Sequence, residues 1–405
     1  MRGKRSTLQL RILSGLAVAL TVLLHPTPSS AQSVDWVRQF GTEHTEMSTG
    51  IARTKALVLV VGNATDGLPD STANGVGCFV RAFDYIGNTV WTNTFACDTG
   101  SRASVSVHKG GIYVASSFPG VASVQRFDTS GELTWQTLLG ADTRRGAIPY
   151  TISATGSGVY VGGEVTGSFH GESSEGGADA FVTKLSLTGA RMWVRQFGTD
   201  GNDLAFGVSA TSSGVYLAGR EASPAAEAGF LAAYSRGGQQ HWYQGGKTQF
   251  PEGLHATSEA LFATGFVQNS SPTLGSHQAF VQRTDLSGDV EWTRTLAGVS
   301  EGASPGTDAR AISVIGRRVY IAGSTSGEFE GQTQLGETDS FFARYSTAGR
   351  KRWILQAGTD GGQDGAYAVV ATPSSGVYFA GRTTGAFPGY TPQGEHDAYL
   401  LHTPA

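Results

Sequence analysis

The chain carries little that reacts. It has two cysteines in 405 residues, Cys78 and Cys97, and they lack the Cys-x-x-Cys spacing of a redox dithiol. Histidines 44, 108, 170, 241, 255, 277, 396 and 402 stand singly, with no pair at metal-ligand spacing. Charged residues make up only 15% of the chain, and no cluster of Lys and Arg of the kind that nucleic acid or an anionic membrane demands follows the first residues. The one apolar run, Ile12 to Leu24, is 13 residues long, short of the roughly 20 that cross a bilayer. Ala, Leu, Glu and Lys in periodic array, the material of helices, are also missing. Glycine is abundant instead, at 57 residues, which suits strands joined by many turns.

Arg2, Lys4, Arg5 and Arg11 precede the apolar run, and Pro26, Pro28 and Ser29-Ser30-Ala31 follow it. That order predicts a secretory signal peptide over residues 1–31. Its removal takes four positive charges away, moving the formal charge from -4 to -8. The expected product is residues 32–405, exported to the periplasm, cell surface or medium, with no membrane insertion after cleavage and no nucleic-acid partner.

Tryptophans fall at 36, 91, 135, 193, 242, 292 and 353, and a spacing of this order marks a repeated supersecondary unit. Each Trp after the first follows a glycine by four positions, from Gly87 to Gly349. Eight residues before that glycine stands Phe79, Phe181, Phe230, Phe280 or Phe341, with Ser123 as the exception. Two alternating runs joined by a glycine turn predict a β-hairpin. A second hairpin precedes each one, written clearly as SATSSGVYLAG (209–219) and ATPSSGVYFAG (371–381). In it Val215 and Leu217 point one way and Tyr216 and Ala218 the other, so both faces are apolar and need cover. Seven units of four strands predict an all-β, seven-bladed β-propeller. Trp36 has no hairpin before it and Trp353 is followed by three more strand patterns, so the strand Val34 to Phe40 is expected to complete the last blade and close the ring. The repeated WVRQFGT (36–42 and 193–199) is then an outer blade strand written twice.

Units such as GGADAFVTKLSLTGARMWVRQFGTDGNDLAFGV (176–208) and TDSFFARYSTAGRKRWILQAGTDGGQDGAYAV (338–369) resemble the bacterial seven-bladed propeller repeat abbreviated SBBP. The resemblance covers most of residues 32–405 and is looser around Trp135 and Trp242. It implies an exported or surface-associated propeller with no single activity attached. FDTSGELTW (127–135) and TDLSGDVEW (284–292) also resemble the repeat of pyrroloquinoline-quinone dehydrogenases, whose units usually run shorter than the spacing here.

Cys78 and Cys97 flank the first hairpin symmetrically, which predicts opposed positions and a disulfide in an oxidising compartment. Asp200, Asp203, Asp360 and Asp364 lie in acidic turns whose oxygens could hold calcium, although the distal bidentate Glu of a full calcium loop is absent; Asp side chains also cap such turns through backbone amides. Asp179, Asp339 and Asp397, each opening a strand, read as turn-forming. Gly302-Ala303-Ser304-Pro305-Gly306 fits Gly-x-Ser-x-Gly, yet Pro305 cannot supply the amide that an oxyanion hole needs. The loops TGSFHG (166–171), SGEFEG (326–331) and TGAFPG (384–389) repeat a Phe that either plugs its blade or lines a ligand site. No catalytic residue is assigned and no cofactor beyond calcium is implied. The expectation is a monomeric, non-catalytic scaffold for a protein or glycan ligand. The alternative is an extracytoplasmic enzyme, a glycan-active hydrolase or lyase or a quinone-type propeller, with paired acids at the central channel.

Overall fold

The computed structural model describes residues 32–71, 77–98, 100–140, 146–223, 226–268, 277–300 and 305–404; the expected signal peptide lies outside them. Every strand belongs to one of seven four-stranded antiparallel sheets. The inner strands of blades 1 to 7 are Glu46–Arg53, Ser104–His108, Ala147–Thr155, Leu204–Ala210, Gln249–Ala256, Thr307–Ile315 and Asp364–Ala371. Each packs on the inner strand of the next blade, and the seventh packs on the first, so the ring is closed. Trp36–Phe40 pairs with Asp397–Thr403 as the outer strand of blade 7. The second strands are covered on both faces: Val215, Tyr216, Leu217 and Ala218 are all buried. Four inner strands are also tied to the next blade: Ser106, Ser153, Ser209 and Ser313 accept from the backbone N–H of Ala154, Ala210, Ala256 and Ala371 of the following blade.

The heptapeptide written twice has a task for most of its residues. The third and fourth strands of a blade are joined by a tight turn whose glycine takes positive φ, as at Gly238 with φ 87°, a conformation that costs glycine nothing. The tryptophan of the preceding blade lies on that glycine and donates its indole N–H to a carbonyl of the same turn: Trp193 to Arg236, Trp91 to Thr129, Trp292 to Thr347. The arginine two residues on binds the glycine carbonyl itself, Arg38 at Gly87 and Arg195 at Gly238. Trp with the residue two after it, Arg in three blades and Asn93 and Thr137 in two others, therefore hooks these outer strands to the next blade. Trp353 shows the converse. Its neighbour, blade 7, joins no third strand to a fourth through such a turn because its outer strand comes from Trp36–Phe40, and the Trp353 indole nitrogen is buried without a hydrogen bond among the described residues.

Six of the seven inner strands bulge near their start. One residue is left without a partner between Ser48 and Gly50, Pro149 and Thr151, Ala205 and Gly207, Pro251 and Gly253, Ala309 and Ala311, and Ala366 and Ala368. The bulge pushes a carbonyl against the second strand, so only glycine fits opposite: a Cβ on Gly323 would overlap the Asp308 oxygen, and Gly62, Gly163, Gly219, Gly265 and Gly381 meet the same obstacle. An aromatic ring of the third strand, Phe341 opposite Gly323 and Tyr399 opposite Gly381, covers the gap. Blade 2 has no bulge and pairs Ser116 with Ser123 at this place. The one exception to the Phe pattern is thus the one blade without the kink.

Cys78 and Cys97 form a disulfide with a Cα–Cα distance of 5.6 Å. Their expected direct opposition is incorrect: Cys78 pairs with Phe95 because the ladder slips between Ala82 and Phe83 at the Gly87 turn. The bridge is diagonal, which a right-twisted hairpin accommodates.

Candidate functional site

The inner strands enclose a channel of about 520 Å³ whose walls include Gly50, Ser106, Ser153, Gly207 and Ser313. At the end where those strands begin it adjoins a mouth of about 430 Å³. The mouth is built by the bulges. The unpaired residue of each is Thr49, Tyr150, Phe206, Glu252, Arg310 or Tyr367, and all six line the mouth. A β-bulge bends its strand and re-aims one side chain; here six blades aim six side chains at a single space. Blade 2, unbulged, contributes Arg102 from just ahead of its inner strand, and Arg382 reaches the mouth from the second strand of blade 7.

Three guanidinium groups therefore face one lining carboxylate in a chain of net negative charge. Arg102 lies 5.9 Å from the Phe206 ring centre; Arg310 and Arg382 lie 5.2 and 5.9 Å from that of Tyr367. Burial opposes the Arg310 charge, but Glu252, Tyr367 and Asp308 more than offset it and hold its pKa above the ordinary value. Tyr150 donates its hydroxyl to Glu164 at 2.8 Å, and burial together with that carboxylate keeps the phenol protonated. Glu252 stands 3.9 Å from Arg310 Nη1, yet its Oε2 and the Arg310 Nε are buried with no hydrogen bond among the described residues.

The acidic turns resolve into a different arrangement. Asp200 and Asp360 are exposed turn residues, whereas Asp203 and Asp364 are buried and accept the backbone N–H of Thr199 and Thr359 at 2.7 Å. Glu46 does the same for Thr42. Each faces a strand-opening acid of the previous blade, Asp203 toward Asp179, Asp364 toward Asp339 and Glu46 toward Asp397, around Gly198, Gly358 and Gly41. Among the described residues no three of His, Cys, Asp and Glu gather to hold a metal ion. Asp179, Asp339 and Asp397 serve the glutamine of the outer strand: Gln196, Gln356 and Gln39 donate to them. The same glutamines accept the backbone N–H of Phe169, Phe329 and Phe387. Those phenylalanines are buried and pack on Phe181, Phe341 and Tyr399, so they plug their blades. The glutamine role went unread in the sequence, although Gln stands in WVRQFGT twice and in ILQAGT once.

Burial, with Asp339 adding to it, pushes the Asp364 carboxyl up to about 6; burial likewise raises Asp203 and Glu46. An acid with a raised folded pKa binds its proton more tightly in the native state. Its stabilisation is full below pH about 4 and is lost as pH rises through about 6. Relative to Asp364→Asn, the parent protein is therefore expected to lose on the order of 2 kcal/mol of stability to urea between pH 4 and 7. An identical slope in the variant would remove Asp364 as its source.

Gly302, Ala303 and Ser304 of the hydrolase-like motif lie outside the described residues. The mouth residues were missed because they come from separate blades. A positional signal exists all the same: Thr49, Tyr150, Phe206, Glu252 and Arg310 each stand 13 residues before the repeat's second-strand glycine, and Tyr367 stands 14 before. No family model matches the chain and no curated protein matches it. Among solved structures, the chain is similar to BBS1N in its complex with ARL6DN, soaked with lead, at TM-score 0.51 and 8% identity over 93% of this chain and 98% of that one. It is also similar to Drosophila Plexin A in complex with Semaphorin 1b, at TM-score 0.52 and 9% identity over 92% of this chain and 87% of that one. At these identities the likeness establishes the fold, a seven-bladed β-propeller, and nothing finer.

Proposed function

We propose that the chain is an exported, non-catalytic binding scaffold of the SBBP-repeat kind, monomeric and without a cofactor, that recognises a protein or glycan through the channel mouth. The observation that carries this is the ring of six bulges. A framework in which Trp, Arg, Gln and Gly repeat presents six side chains that do not form a repeat, Thr, Tyr, Phe, Glu, Arg and Tyr, to one concave space. A rigid scaffold with variable residues at one end is the usual design of a recognition surface. Two similar propellers, BBS1N and Plexin A, are described in complexes with ARL6DN and Semaphorin 1b, which supports the reading by analogy of fold. The disulfide suits an oxidising compartment.

A native mass spectrum of the protein recovered from the medium or periplasm of its own host tests the proposal. The expected species begins at Gln32, lacks two hydrogens for the disulfide and carries no small-molecule cofactor. A chain that keeps residues 1–31 would overturn export. A tightly held metal or quinone would overturn the scaffold in favour of the enzyme.

A further inference from the structure

The mouth offers unmet polar chemistry of two signs on an aromatic lining. The Arg102 and Arg382 side chains make no hydrogen bond or ion pair with another described residue; their guanidinium groups lie over the rings of Phe206 and Tyr367. Both are half-buried at the rim, where a guanidinium fork matches a planar oxyanion in two parallel hydrogen bonds. Deeper, the Glu252 Oε2 and Arg310 Nε lack hydrogen bonds although their side chains are only 16% and 24% exposed. Both side chains line the mouth, and a carboxylate acceptor beside a guanidinium donor suits a hydroxyl group, which both donates and accepts. The half-buried rings of Tyr150, Phe206 and Tyr367 supply flat apolar walls. The volume of about 430 Å³ lies within the usual span of small-molecule sites, about 300 to 1,000 Å³.

A negative group, hydroxyls and a ring of modest size together describe one class of ligand. We infer that the channel mouth binds an acidic saccharide residue, its carboxylate or phosphate held by Arg102 and Arg382, a hydroxyl on Glu252 and Arg310, and its ring against the aromatic wall. This deepens the scaffold reading and rests on it. A neutral sugar would leave two guanidinium groups unpaired, and a small inorganic anion would leave Glu252 and the rings unused, so the mouth should discriminate on both counts.

Calorimetric titration of residues 32–405 at fixed ionic strength with D-galacturonate, D-glucose 6-phosphate and D-glucose tests this. At least one of the acidic sugars should bind at a single site at least about tenfold more tightly than glucose, the scale of lost charge-assisted hydrogen bonds. Galacturonate alone assigns a carboxylate, the sugar phosphate alone assigns a phosphate, and both together show that charge and ring suffice. Arg102→Gln with Arg382→Gln should weaken binding by at least about tenfold with the melting temperature unchanged, since neither side chain holds the fold together. A second measurement on the unaltered chain avoids variants: bound acidic sugar should shield Arg102 and Arg382, but not the exposed Arg236, from arginine-specific dicarbonyl labelling. Acidic sugars that bind no better than glucose, or equal labelling with and without them, would overturn the inference. An exported chain that binds a protein but no acidic sugar loses this inference alone, whereas chemical turnover of the sugar keeps the site and overturns the non-catalytic scaffold.

Discussion

Gly323→Ala is expected to destabilise the propeller by at least about 3 kcal/mol, the upper part of the range for forcing atoms into a packed interior. The added methyl would meet a backbone oxygen, that of Asp308, and not the movable end of a side chain. That oxygen is placed by the bulge between Ala309 and Ala311, so it can withdraw only if the bulge is lost, and with it the aim of Arg310 into the mouth. The Phe341 ring, paired opposite Gly323, closes the other direction. Ser116→Gly in the unbulged blade is the matching control and should cost only about 0.5 to 1 kcal/mol, the ordinary loss for glycine in a strand. Urea denaturation followed by tryptophan fluorescence compares the two. If Gly323→Ala stays within about 1 kcal/mol of the parent protein, the account of the repeated glycine fails.

Cys78→Ser with Cys97→Ser is expected to cost about 3 kcal/mol, the chain-entropy value for closing a loop with a sequence separation of 19. The bridge ties the third strand of blade 1 to the end of its fourth. The Asn63 amide lies 3.8 Å from each sulfur, so loosening should reach the second strand as well. Blade 1 is also the blade on which the closing strand leans: Phe40 packs at 5.7 Å from Phe79, and the Arg38 fork holds the Gly87 carbonyl. Hydrogen exchange should therefore quicken first in blade 1 and in Trp36–Phe40, before the blades opposite. Uniform loss of protection around the ring would contradict a local role for the bridge.

The two effects differ in how far they could be read in advance. Cys78 and Cys97 are near enough in sequence that hairpin symmetry brings them together, and only the slip at the Gly87 turn, a local irregularity, made their register diagonal. Gly323 was visible as a member of a pattern but not for its reason. The pattern Tyr-x-Ala-Gly records that nothing larger is tolerated; the obstacle is a carbonyl on a different strand, displaced by a bulge that no alternation of apolar residues announces. Gln196 is a similar case. Its repetition in WVRQFGT was plain, while its partners, Asp179 and the Phe169 amide, lie 17 and 27 residues away and meet it only when the third and fourth strands align.

From the sequence alone follow the unit, the number of units, the strand order and the closure of the ring, because the unit depends on period-two alternation and turn glycines within a single repeat, and the number and closure on where the tryptophans fall along the chain. The tertiary structure decided the site. Tyr150, Phe206, Glu252, Arg310 and Tyr367 have no side-chain chemistry in common and share only their place in the repeat, 13 or 14 residues before its second-strand glycine, and an unpaired position in five different strands. Their convergence depends on the bulges and on the circular stacking of blades, and those are set by contacts between repeats, which no single repeat encodes.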